Sequence, residues 1–197
     1  MKIYNVAQNT PEWLELRRGK FTASNFASLF MAKTTKGYQE VINNIVFERL
    51  TGEIPESFSN GWMERGKELE PLAIEAYQFQ TFKAVSRVGF VELDEWIGCS
   101  PDGFVGTDGM IQVKCPKYST LIEYILDGSV PKSYQIQMQG EMWVSERAWS
   151  DFYVYHPKLS PLLIRVNRDE KLIKEIQSKI AEAKGEAEKR MTKIGKW

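Results

Sequence analysis

CSPDGFVGTDGMIQVKCP, residues 99–116, is the stretch whose reading decides the fold. It reads as a strand, a glycine-rich turn and a second strand. In a strand, residues i and i+2 share a face. Gln112 and Lys114 therefore point one way, and Ile111 and Val113 the other. A lysine flanked by valine and cysteine is aimed at a partner or a reaction rather than at bulk water. Asp102 stands just after a strand end, in SPDG, and the GTDG turn can bring the two strands side by side. Asp102 and residue 112 are then expected to meet at one end of a sheet. Where a second carboxylate would be looked for, the chain has Gln112.

Working outward, the flanks supply helices. Thr10-Pro11-Glu12 combines a capping hydroxyl, a proline at the first helical position and an acid on the positive end of the dipole. That helix is expected to reach about Arg18 and to end at Gly19, with Thr22 capping a second helix through ASNFASLFMA. KTTKGY reads as a polar, basic loop. Val41, Ile45, Val46 and Leu50 have helical spacing, and Gly52 is a stop. NGWMERGKELEPLAIEAYQFQTF predicts a long helix bent at Pro71. AVSRVGFVEL and WIGCSPDGFV have strand character, TLIEYILDG and the glutamine-rich PKSYQIQMQGEMWVSE read as helices, and WSDFYVYH and LLIRVNR as paired strands. A charged amphipathic helix is expected from Asp169 to about Lys193. Helices, a central sheet, then further helices and strands describe one mixed α/β domain over residues 1–197.

Composition narrows the chemistry. With 43% hydrophobic and 26% charged residues, the chain matches an ordinary globular protein. No apolar run approaches the roughly 20 residues that span a bilayer, and MKIYNVAQNTPEW lacks a signal-peptide core. The expectation is an intracellular, cytoplasmic protein with Cys99 and Cys115 reduced. The lone histidine, His156, and the absence of a CxxC pattern remove most zinc sites and most His-activated nucleophiles. The 26 basic residues balance 26 acidic ones, so the overall basic excess common in nucleic-acid binders is missing, although charges can still be segregated by face.

Hydrolysis of a phosphodiester asks three things of such a corner. Carboxylates hold Mg²⁺, which prefers oxygen ligands. The cation polarises the phosphoryl oxygen and activates water. A lysine orients that water or stabilises developing charge. Asp, a hairpin, then acid-x-Lys is that set, although Pro-Asp-Gly is also a common turn and a strand lysine also guards sheet edges.

The stretch resembles the PD-(D/E)xK nucleases: PD, the hairpin GFVGTDGMI, then QVK. More narrowly it resembles the lambda-exonuclease (YqaJ-like) type of phage recombination nuclease. WLELRRGKFTAS, RGKELEPLA, YQIQMQGEMWV and YHP match that group's motifs in order along nearly the whole chain. The resemblance implies a restriction-endonuclease-like core, a mixed central sheet flanked by helices. It makes Asp102 and residue 112, here Gln112, the Mg²⁺-binding catalytic pair (with Mn²⁺ as a substitute), the Val113 carbonyl a further ligand and Lys114 the catalytic lysine. Glu70 matches the group's additional acid, and Gln139, with Gln137 nearby, the helix lining the site. Arg17, Ser24 and Ser100 match positions that grip the 5′ phosphate, and Met63 an apolar wedge at the duplex end. The implied activity is 5′→3′ degradation of one strand from the ends of double-stranded DNA. A ring of three subunits, a single-strand annealing protein as partner and a phage or prophage source in a bacterial host are also implied.

Gln112 departs from the group, which has glutamate there. Glutamine keeps the shape and one carbonyl oxygen but loses the charge. One explanation, which we prefer on sequence, is a deliberate Glu→Gln change that traps metal and uncut DNA. The other is a natural variant, attenuated or leaning on Glu70. Either way the expectation is severely reduced cleavage with DNA binding kept. A catalytically silent DNA-end binder and an endonuclease of the same fold stay open.

Overall fold

The computed structural model describes residues 1–55 and 61–195, apart from the side chains of residues 62, 63 and 67. Two sheets carry the architecture. The smaller one orders β1 (Lys2–Tyr4), β4 (Phe90–Glu92), β5 (Ile97–Cys99) and β2 (Phe21–Thr22). The larger one runs β3 (Val85–Ser86), β6 (Gly103–Val105), β7 (Gly109–Lys114), β8 (Trp149–Val154) and β9 (Leu162–Asn167). The expected hairpin is β6 and β7, antiparallel with Gly103 opposite Ile111. Gly106 turns it at φ +61°, a left-handed conformation that suits glycine. β7 then pairs in parallel with β8, and β8 antiparallel with β9, so the sheet is mixed.

The alternation read in β7 sorts two cores. Ile111 and Val113 pack with Ala73, Ile74, Tyr77 and Tyr153 under α3 (Gly61–Thr81). On the other face Met110, Phe152 and Val154 join Phe26, Met138, Met142 and Ile176. These come from a 3₁₀ helix (Ala23–Phe30), α5 (Lys132–Val144) and α6 (Glu170–Ile194). α2 (Lys36–Thr51) adds Ile42 and Ile45 to the same core. α1 (Pro11–Arg17) and α4 (Tyr118–Asp127) complete the helices among the described residues.

Local chemistry explains most boundaries. Thr10 caps α1 by accepting from the Trp13 N–H, and Gly52 ends α2 at φ +74°. The helix through ASNFASLFMA is 3₁₀, and Thr22 makes no capping bond. Its hydroxyl is instead shared between Arg17 and Ser24. KTTKGY, expected as loop, supplies Thr35 as the cap of α2 and its first turn. α3 continues through Pro71. Strand β1 was not foreseen: three residues pairing on an edge carry too short a pattern.

α5 meets the 3₁₀ helix at Gly140, where an added Cβ would lie 2.4 Å from the Phe26 ring. Gly140→Ala gains roughly 1 kcal/mol of helix propensity but forces Phe26 aside, at a cost of about 1–3 kcal/mol. The expected net outcome is a fall in Tm of a few degrees, read by calorimetry.

Candidate active site

The end of the β6–β7 hairpin assembles the polar groups. Asp102 precedes β6, and its Oδ2 accepts from Gln112 Nε2 at 2.5 Å and from the Val113 N–H at 2.6 Å. Burial, with Glu70 adding repulsion and Lys114 and the two donors opposing, raises the Asp102 pKa to about 6. Asp102 therefore feels the charges of both Lys114 and Glu70. Lys114 lies with its Nζ 4.7 Å from the centre of the Tyr134 ring on α5. Glu70 accepts from Arg87 at 2.6 Å and lines a cleft of about 580 Å³ with Pro71, Arg87, Gly89 and the Asn5–Asn9 segment.

Register gives the Val113 carbonyl a special place. In a strand the N–H and C=O of one residue face the same side. The Val113 N–H faces Asp102, so its C=O does too. Extending the β6–β7 register by two residues sets Val113 opposite Pro101, which has no N–H to offer a ladder.

From α5, Gln137 rather than Gln139 reaches this corner. Gln137 Nε2 lies 2.8 Å from Gln112 Oε1 and 2.8 Å from Glu141 Oε1. Gln139 turns away: it donates to the Asn167 carbonyl and accepts from the Asp169 N–H, bracing the start of α6. Glu141, not singled out in the sequence, is 1% exposed, and its Oε2 has no hydrogen-bond partner. Burial first, then repulsion from Asp102, pushes its pKa up to about 8. An acid inside GEMWV, four residues after a glutamine, was the available signal.

A second cluster adjoins the first through the Ser100-Pro101-Asp102 run. Arg17 Nη1 donates to Ser100 Oγ at 3.2 Å, and Nη2 reaches Thr22 at 3.3 Å and Ser24 at 3.4 Å. Its guanidinium stacks 4.2 Å from the Trp13 ring, and the Trp13 indole donates to Ser100 Oγ at 2.9 Å. Burial lowers the Arg17 pKa to about 10, so it stays a cation at neutral pH. Arg18, by contrast, pairs with Glu15 at the end of α1. His156 accepts from the Lys158 N–H in the turn after β8, and both cysteines are free. The Met63 side chain lies outside the described residues.

Among the described residues, no group of three or more His, Cys, Asp or Glu side chains could hold a metal ion. Mg²⁺ commonly needs only one or two carboxylates and keeps several waters. Asp102, the Val113 carbonyl and the orphaned Glu141 oxygen are hard donors of the kind it takes. Among the described residues no helix is long and apolar enough to cross a membrane.

Comparison with known proteins identifies the family and the fold. The profile of a YqaJ-like viral recombinase domain matches residues 12–148. The alkaline exonuclease LHK-Exo from Laribacter hongkongensis superposes with a TM-score of 0.88 at 34% identity, covering 95% of this chain and 97% of that one. Its complex with dAMP gives 0.89 at 35% identity with the same coverage. A phage related exonuclease from Haemophilus somnus 129PT, at 18% identity and a TM-score of 0.67, covers 91% of this chain and 98% of its own and shares the fold. No curated protein matches the chain significantly.

Proposed function

The chain belongs to the YqaJ-like viral recombinase family, and on that premise we propose that it is a Mg²⁺-dependent nuclease degrading double-stranded DNA 5′→3′ from its ends. The observation that carries the reading is the adjacency of two clusters. Ser100, in the Arg17 grip, and Asp102, in the acidic corner, are separated by one residue. Two residues of extended chain span at most ~7 Å, so a terminal phosphate held at one lies within a nucleotide's reach of the other.

Each side chain has a task that its surroundings suit. Arg17, desolvated and stacked on Trp13, offers a planar fork to a 5′ phosphate, and Ser24 and Ser100 add hydroxyl donors. Asp102 and the Val113 carbonyl present oxygens to a divalent cation, which when bound would polarise the phosphoryl oxygen and activate water. Lys114 faces the same corner and stabilises charge on the cleaved phosphodiester. Glu70 adds negative charge beside Asp102. The rate depends on what makes good the charge missing at Gln112. Release of mononucleotides, a 3′ overhang handed to a single-strand annealing protein, a three-subunit ring and a phage or prophage origin complete the proposal. The strongly exposed Phe79 and Phe82 at the end of α3 support a subunit contact.

The test offers 5′-phosphorylated linear duplex and closed circular duplex with Mg²⁺. The expected outcome is mononucleotides from the linear DNA and an intact circle. Nicking of the circle would instead indicate an endonuclease. End binding without product, persisting after Gln112→Glu, would indicate a silent binder.

A further inference from the structure

Glu141 is a carboxylate the proposed mechanism does not use. It is 1% exposed on α5, yet its Oε2 has no partner. A polar path links it to the acidic corner: Glu141 Oε1 to Gln137 Nε2 at 2.8 Å, the same Nε2 to Gln112 Oε1 at 2.8 Å, and Gln112 Nε2 to Asp102 Oδ2 at 2.5 Å. Gln112 itself is 2% exposed with both ends of its amide engaged. A glutamate at 112 would have to place its charge within this same network. The chain instead keeps an amide on the strand and an acid on the helix facing it.

Removing a carboxylate from water with one oxygen unmet is costly, and such groups are normally paired or coordinate metals. A site for a hard divalent cation depends on how much negative charge surrounds it. We propose that Glu141 supplies the second carboxylate charge of the cation site, in place of the one that residue 112 lacks. Asp102 and Glu141 together then carry the charge that two acids on the hairpin would have carried, and Gln112 serves as the amide that positions Asp102. Gln112 becomes a natural partner of Glu141 rather than a disabling change. The inference rests on the proposed metal-dependent reading of this corner.

The test is Mn²⁺ affinity of the full chain, by titration calorimetry and electron paramagnetic resonance, for the unchanged protein, Glu141→Gln, Asp102→Asn, Gln112→Glu, and Gln112→Glu combined with Glu141→Gln. Glu141→Gln is expected to weaken binding about 10–100-fold, as losses at metal sites commonly do, and the combined variant to recover most of it. Gln112→Glu alone, whose fold does not depend on changing Glu141, is expected to strengthen binding by less than about tenfold because the second charge is already present. Unchanged affinity in Glu141→Gln, with Asp102→Asn losing Mn²⁺, overturns the role of Glu141 while leaving the site reading standing. So does a gain of about 100-fold or more in Gln112→Glu alone. No Mn²⁺ binding by the unchanged protein, or binding indifferent to Asp102→Asn, overturns both.

Discussion

Lys114→Ala is expected to lower the single-turnover cleavage rate by about 10²–10⁴-fold while leaving affinity for duplex ends largely intact. The side chain leaves β7 on the same face as Gln112 and lies over Tyr134, inside a wall of α5. If it served only to hold Tyr134, its loss would cost about 0.5–1 kcal/mol of stability and turnover would follow the folded fraction. If it acts on the reacting phosphate, turnover collapses with Tm nearly unchanged. A further sign separates the two. Lys114 holds the Asp102 pKa down, against burial and Glu70 that raise it to about 6. Removing the cation lets that pKa climb, so Asp102 ionises only at higher pH and any residual cleavage should shift to more alkaline conditions. A residual rate with an unmoved pH profile and a near-normal value would count against a catalytic Lys114. Lys114→Arg is not expected to rescue, because a planar fork replaces a compact point charge.

Arg17→Ala is the second large effect. A charge-assisted bond to a phosphate contributes about 1.5–3 kcal/mol, which converts to a loss of roughly 10–100-fold in kcat/KM on 5′-phosphorylated ends. Ends carrying a 5′ hydroxyl should respond little, so the variant loses its discrimination between the two. Arg17 is pre-positioned for this: Ser100, Thr22 and Ser24 surround its fork, and Trp13 both carries its face and anchors Ser100. Arg17→Lys should recover part of the affinity but not the full preference. Equal losses on phosphorylated and unphosphorylated ends would mean that the arginine supports the fold of α1 instead.

The hairpin was legible because its signals are local: apolar alternation, a glycine-rich turn and a lysine where a strand interior should be apolar. The helix ends marked by Thr10-Pro11 and Gly52 were legible for the same reason. The division of the strands into two sheets was not, since β1, β2 and β3 are only two or three residues long and their pairing is decided by distant partners. Thr22 misled because a capping hydroxyl and a hydroxyl that serves an arginine look alike in sequence. On α5, Gln135, Gln137 and Gln139 alternate, and no local signal says which helical face meets the sheet. Packing selects the face bearing Gln137 and Glu141, four residues apart and so on one side, and sends Gln139 to the start of α6.

The residue opposite Val113 matters for a different reason. Had position 101 carried an amide hydrogen, the hairpin could have zipped one rung further and the Val113 oxygen would have been tied into it. An imino acid there stops the zipper short, while Gln8 clasps the Pro101 carbonyl from outside at 2.9 Å. The corner beside Asp102 is thus an unfinished seam between two strands, kept open by the one amino acid that cannot close it.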